Sequence, residues 1–592
     1  MDITKNKYLI TVSIDSLKNI DLSKSIALGE WCIPYKNRIA YKNIEVLDFI
    51  WNDRSKYEEA YYYCLEIFEK LLSELKDDIN KNLNVNFSID YYRLILSPWL
   101  IHYIHQAYDK YVSIKQAYSK NKNLITYILD EKDYYIPLDY QDFMYMITKN
   151  EIYNLQQYSQ IVKFLNYDYK YIDTNKKNEQ KLYYKNNNSM KRKLVNFVDK
   201  TFLYISNMLY RKEELTTVCE PYFLYDATNR YKLVLKSGFK IILNDFNYNY
   251  YIDLTLDMKK REKKCEKNKD KTFINYLRQV ILKDIPLIYF ENLLKFRDKV
   301  LSFNIHKTNI FYTANAHYGN EIYKFYIAEN YKNTKTIISQ HGGVNGTHLL
   351  SLEEIDHKMA DYIFTFGWKE RKNEIPMYSF NISLLKRKFK HKPDPKKILF
   401  ISTGQPRRLF RFHSSYSATE YKKLIQQSID FLSIINCDVV YRKYQEHYGW
   451  FTEEQIEKGI NRHLIYDINK KIIKSYQTAD IVVSNHIGST YLESISLNIP
   501  TVVFCDESVT KFRESASEIY KILTEVGIFH KSGYSAAKFI NLLYDENRLY
   551  EWWHSSDVIE AKTKLINKYS KTTDNWFFEF KNKITEILKY NQ

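Results

Sequence analysis

A chain of 592 residues carrying a formal net charge of +17 and only six cysteines has material for two or three domains with full cores and needs no covalent staple to hold them. Cys32, Cys64, Cys219, Cys265, Cys437 and Cys505 lie far apart with no C-x-x-C pair, which excludes a zinc ribbon or disulfide frame and predicts reduced thiols in a cytoplasm. Met1 to Lys5 lacks the apolar core of a signal peptide and no apolar run approaches 18 residues, so the chain is expected to be soluble, or at most peripheral on the inner face of an anionic membrane.

In chain order, Tyr8 to Ile14 alternates like a strand, and Leu28-Gly29-Glu30-Trp31-Cys32 follows as a turn of small and aromatic residues. From about residue 41 to 301 the pattern is mostly helical, as in Tyr63-Leu65-Ile67-Phe68-Leu71-Leu72 and Phe202-Leu203-Ile205-Met208-Leu209. Thr174 to Lys193 is polar enough for an exposed loop. The densest cationic run, Lys259 to Lys271, also holds acids. Solvated helix faces account for such a pattern, and nucleic acid is not expected as a partner.

From Asn309 strands and helices alternate. Strands are expected at Ile310 to Thr313, Lys335 to Ser339 and Tyr362 to Phe366, with helices His317 to Tyr331 and Leu352 to Met359 between them. A charged link, Lys386 to Lys397, precedes a second alternation: strands from Ile398, Val439, Ile481 and Thr501, and helices over Thr419 to Ile435 and Asn469 to Tyr476. The expected fold class is α/β, with two Rossmann-like domains facing a cleft and a large helical insertion in the N-terminal half. The expected division is 1–385 with the insertion at 41–301, then 393–550, then 551–592 as helices packing back.

Chemistry is expected where strands end. Gly488-Ser489-Thr490 stands between the strand Ile481 to Ser484 and a helix carrying Leu492 and Ile495. Free N–H groups and two hydroxyls there suit a phosphate. Glu493, one turn further on, is placed for ribose hydroxyls. Arg442 and Lys443 end a neighbouring strand and could neutralise a departing phosphate; the alternative for Arg442 is an ion pair. On the other wall, Gln340-His341-Gly342-Gly343 follows directly on a strand. The glycines let a ligand approach, and His341 can take a proton at cellular pH or simply hydrogen-bond its loop. Glu353, Glu354, Asp356 and His357 open the next helix, either as capping charge or as a site for acceptor hydroxyls. Gly404-Gln405-Pro406-Arg407-Arg408 is a second cationic strand-end loop. No D-x-D triplet or Cys/His ligand set occurs, so no metal or other cofactor is expected.

Leu28 to Cys32, Gln340 to Gly343, Asp361 to Trp368 (DYIFTFGW), Tyr448-Gly449-Trp450 and Gly488 to Thr490 together resemble a bacterial family of transferases found with surface-polysaccharide and O-antigen genes, of the GT-B glycosyltransferase type. More distantly the chain is similar to capsule Kdo transferases, bacterial sialyltransferases and glycerophosphotransferases, although Arg442-Lys443-Tyr444 stands where those relatives carry Arg-x-His-Pro. The resemblance implies a metal-independent enzyme with a nucleotide-activated sugar as co-substrate, cytidine-linked in the distant relatives, and a glycan or glycolipid acceptor. His341 would be catalytic. Arg442, Lys443, Gly488, Ser489, Thr490 and Glu493 would bind the donor, and Gln340, Gly342, Gly343, Glu353 and Glu354 the acceptor. Polyol-phosphate transfer and non-catalytic binding of a nucleotide sugar or glycan are the competing readings.

Overall fold

The computed structural model describes residues 6–590 apart from 122, 176–200, 202, 203, 205–207, 209–214, 225, 226, 239, 244, 245, 247–251, 263–269, 304, 306 and 507. Residues 176–193 of the expected exposed loop, residues 263–269 of the charged run with Cys265, and Phe202, Leu203, Ile205 and Leu209 lie outside the described residues.

Three parallel sheets make up the described chain. The first comprises β1 (Lys7–Ile10), β2 (Ser25–Ala27), β3 (Glu45–Val46), β4 (Leu124–Ile128) and β5 (Tyr169–Tyr171) in the order β3-β2-β1-β4-β5. The second comprises β6 (Leu215–Cys219), β7 (Lys240–Leu243), β8 (Ile310–Thr313), β9 (Lys335–Ser339), β10 (Tyr362–Thr365) and β11 (Glu374–Pro376) in the order β11-β10-β9-β8-β6-β7. The third comprises β12 (Lys397–Ile401), β13 (Asp438–Arg442), β14 (Ile465–Tyr466), β15 (Ile481–Ser484), β16 (Thr501–Phe504) and β17 (Phe529–His530) in the order β14-β13-β12-β15-β16-β17. The second and third sheets are the expected α/β pair.

The stretch 41–301 is less purely helical than its pattern suggests, since it supplies β3 to β7 and completes both of the first two sheets. Runs such as Leu124–Ile128 span one or two helical turns, too short for periodicity to separate strand from buried helix. Its long elements are nonetheless helices. Arg54–Leu83 starts where the Asp53 carboxylate accepts the N–H groups of Ser55 and Lys56, and stops at Asn84, whose φ of 52° breaks the helix. Its buried Tyr57, Tyr61, Cys64, Phe68, Leu71 and Leu75 recur every three or four residues and pack against the Ile89–Lys120 helix. Beyond the short Leu549–Trp553 helix two more follow, and the last, Trp576–Tyr590, buries Trp576, Phe577, Phe580 and Ile584 against Tyr312 and Phe364 of the second sheet.

Sheet order fixes where a ligand fits. In an open parallel sheet, neighbouring strands whose connections leave to opposite sides open a crevice at their carboxyl ends. That point falls between β6 and β8 in the second sheet and between β12 and β15 in the third. The loops leaving those four strands, with the turn after β9, therefore form the candidate site.

Candidate active site

Two glycine turns meet across the sheets. The Gly343 N–H donates to the Ser489 hydroxyl at 3.1 Å. A Cβ at Gly343 would lie 2.5 Å from the Gly488 carbonyl oxygen and 2.8 Å from Leu492, so only glycine allows this approach. Gly488 itself caps the Ser489–Ser496 helix without any side-chain bond to the first N–H groups, which leaves them directed at the junction. The Thr490 hydroxyl is enclosed and has no hydrogen-bonding partner among the described residues.

His341 sits at the second sheet's crevice, half-buried, with Tyr222 from the loop after β6 and Tyr318 from the loop after β8 packed edge-on, ring centroids 6.1 and 6.2 Å away. Tyr222 has a φ of 63°, a strained setting for a residue with a Cβ and one that clusters at working sites. Desolvation holds the His341 pKa below its usual value, against the pull of the Asp356 carboxylate. The neutral ring that desolvation favours keeps a lone pair on one of its nitrogens, which can act as a base. Asp356 is itself buried, 3.0 Å from His317 Nε2 and 2.7 Å from the Tyr318 hydroxyl, and these partners hold it ionised at lower pH than a free carboxylate.

On the third-sheet side a cavity of about 490 Å³ opens, with Val344 beside the glycine turn, Thr403 and Arg411 after β12, and His486 and Gly488 after β15 in its walls. Asn485 ties the two loops by accepting the Thr403 N–H at 3.2 Å. Arg411 donates through Nε to the Ser415 hydroxyl at 3.1 Å and stacks on Phe410, and among the described residues no carboxylate pairs with it. It is a fixed cation lining a cavity, which is what an anionic group seeks. Burial pushes His486 down to about 4, so its ring is neutral near pH 7. The Glu493 carboxyl accepts from the Tyr476 hydroxyl at 3.2 Å and is raised to about 7 by desolvation.

The other expected site residues are placed as follows. Arg442 takes its ion-pair alternative: it is bound to Asp467, and also donates to the Asn469 carbonyl at 2.9 Å, so its guanidinium pins the loop 467–470. Lys443 is exposed beside the Tyr466 ring. Glu353 is buried, accepting from the Gly346 N–H and from Arg513 of the third-sheet domain, both at 2.5 Å. Glu354 is bound to Arg371. Gln340 is also occupied: its Oε1 accepts from the Phe366 N–H and Trp368 Nε1, each at 2.9 Å, and its Nε2 donates to the Gly342 carbonyl at 2.7 Å. That bonding shapes the turn that presents His341 and explains why Gln340 and Trp368 occur in separate motifs. Leu28 to Cys32 is a docking turn, with Glu30 holding Lys422 at 3.0 Å and the Trp31 carbonyl accepting from Arg407. Arg408 is bound to Glu151.

Sequence reasoning missed Arg411, His486, Tyr222 and Tyr318. The cationic loop Gly404 to Arg408 marks the segment after β12, but Arg411 lies three residues beyond it, between Phe410 and Phe412, with no motif of its own.

Among the described residues no group of three or more His, Cys, Asp or Glu side chains is placed to hold a metal ion, and no helix is long and apolar enough to cross a membrane. A family model matches residues 7–584. The chain belongs to the LIC12162 family of transferases. No match emerges among curated proteins. Among solved structures, the chain is similar to MurG of Acinetobacter baumannii, at 10% identity and a TM-score of 0.30 over 63% of this chain and 100% of that one. It is also similar to the wall teichoic acid polymerase TagF, at 8% identity and a TM-score of 0.30 over 68% of this chain and 96% of that one. Two six-stranded parallel sheets with their carboxyl ends opposed give this LIC12162 transferase a GT-B-like fold.

The glycine junction yields a sharp contrast between neighbours. In this transferase Gly343→Ala must force the two turns apart, whereas a Cβ at Gly342 would lie 3.9 Å from the Ser489 hydroxyl, an ordinary contact. Since a misplacement of about 1 Å at a reacting centre costs on the order of 100-fold, Gly343→Ala should lose transfer on that scale. Gly342→Ala should stay within a few-fold of wild type, and side-by-side initial rates check both.

Proposed function

We propose that the protein transfers a sugar from a nucleotide-activated donor to a hydroxyl of a glycan or glycolipid. The observation that carries this reading is the direct contact between the His341 turn and the Ser489 helix start, which brings a base and an anion-binding helix terminus to one point between two sheets. In the proposal the acceptor hydroxyl lies against His341, entering over Gly342 and beside the Glu353 helix, and gives its proton to the free ring nitrogen as it attacks the sugar carbon. The leaving phosphate takes up the bonding electrons. It is stabilised by the N–H groups of Ser489 and Thr490 and by Arg411. Glu493 holds the donor ribose. Arg442 serves through the loop 467–470 that it pins, and Gln340, Glu353 and Glu354 act by fixing the His341 turn and its helix. No step requires a cofactor.

Melting the purified protein against CMP, CDP, UDP, GDP and their sugars tests this, because a ligand that binds the native state raises its melting temperature by mass action. Stabilisation by one nucleotide class, followed by transfer of label from its sugar to a hydroxyl acceptor, is the expected result. Phosphorus in the product would instead establish polyol-phosphate transfer, and stabilisation without turnover would establish a binding protein.

A further inference from the structure

Beside the junction of the first and third sheets an open groove of about 740 Å³ runs between the turns leaving β2 and the Thr452–Ile460 helix. Its floor is apolar, with Ile33, Ile44 and Val46, and Tyr35 and Tyr41 stand in its walls. Ile39 projects from its edge with 80% of its surface exposed. Lys36, Lys42 and Lys458 surround it, all exposed, and among the described residues no carboxylate pairs with any of them; Lys36 lies instead over the Phe451 ring at 4.5 Å. Arg38 is bound to Glu30, and Glu454 is the one acid in the lining.

Neither half of this arrangement is explained by folding. A bare isoleucine gains nothing in water, and three unpaired lysines around an apolar floor repel one another. A bilayer surface offers both complements together, hydrocarbon beneath a layer of anionic phosphates, with phenol rings at the boundary between them. That helix stops at Asn461, and the chain continues into β14 and the loop after it, where Ile465 and Ile468 are exposed by 61% and 92% close to Lys470 and Lys471.

We infer that the groove edged by Ile39, Lys36, Lys42 and Lys458 is a docking surface for an anionic lipid bilayer. It is coupled to the candidate site through one wall: the Thr452 hydroxyl lies 3.2 Å from that of Tyr421, which donates to the carbonyl of Thr403 in the cavity. Docking would hold the cleft at the membrane, where a lipid-linked acceptor would be presented. Only that consequence rests on the proposed sugar transfer; the lipid binding does not.

Vesicle sedimentation of the full chain decides it. Wild type should pellet with vesicles of phosphatidylcholine mixed with phosphatidylglycerol and stay in solution with phosphatidylcholine alone. The double variant Lys36→Gln/Lys42→Gln should partition about 25-fold more weakly, roughly fivefold for each lysine, and Ile39→Asp should weaken binding as well. All these side chains are exposed, so melting temperatures should not move, and donor-nucleotide stabilisation should persist in both variants, which separates failure of this inference from failure of the sugar-transfer reading. No pelleting with anionic vesicles, equal pelleting with neutral ones, or undiminished binding by the lysine variant would each overturn it.

Discussion

His341→Ala should lower the rate of transfer by roughly 10²- to 10⁴-fold, the range that a positioned base contributes, while donor-nucleotide binding persists. Packing alone cannot produce that outcome. The ring lies half-buried between Tyr222 and Tyr318, so a structural role would show as a lower melting temperature and would be rescued by His341→Gln, which keeps a planar polar group between the two rings. The catalytic role would not be rescued, because an amide does not take up a proton. A His341→Gln variant that retains full turnover would sink the mechanism.

The pH profile gives a second readout. Desolvation lowers the His341 pKa, so its ring loses base function only when pH falls through a value below the usual 6.5, and its acid limb should lie there. Glu493, raised to about 7, would instead place a limb near neutrality if its ionised form were needed. Comparing kcat/KM profiles of wild type and Glu493→Gln assigns the limb: a limb near 7 that vanishes in the variant belongs to Glu493, and a lower one that remains belongs to His341.

Arg411→Ala should weaken donor binding by about 10- to 100-fold, the equivalent of losing a charge-assisted hydrogen bond of about 1.5–3 kcal/mol. Its melting temperature in the absence of ligand should change little, since among the described residues its guanidinium has no carboxylate to leave behind. Arg442→Ala should behave in the opposite way. Removing it takes the cation from Asp467, which keeps Ser475 and Asn469 as donors, a loss of about 1.5–3 kcal/mol that appears as a lower melting temperature. Titrating both variants with the stabilising nucleotide separates them, and equal affinity losses at equal stability would overturn the assignment of Arg411 to the donor phosphates.

The contrast between these two arginines shows where sequence reading ends. Arg442 at a strand tip reads either as a phosphate contact or as half of an ion pair, and Arg411 belongs to no motif. Which is free depends on Asp467, 25 positions beyond Arg442, and on no carboxylate pairing with Arg411 among the described residues, and neither fact has a local signature. Glu353 is a similar case: as the first residue of a helix it reads as capping charge or as an acceptor contact, and its partner Arg513 lies in another domain.

By itself the sequence determined the α/β class, the alternation from Asn309 onward, the strand-end turns at His341 and Gly488, and the transferase family. These are local or periodic: a β-branched run buried on both faces, a glycine where backbone must approach, a helix start without a cap. Only the tertiary structure decided that the first sheet exists and that β6 and β7 complete the second, because β2 to β7 are too short to announce themselves amid long helices. It also decided that the two glycine turns touch, and that Tyr222, Tyr318, Arg411 and His486 join them. Strand order sets which loops share a crevice, and strand order is a property of non-local pairing that no window of residues records.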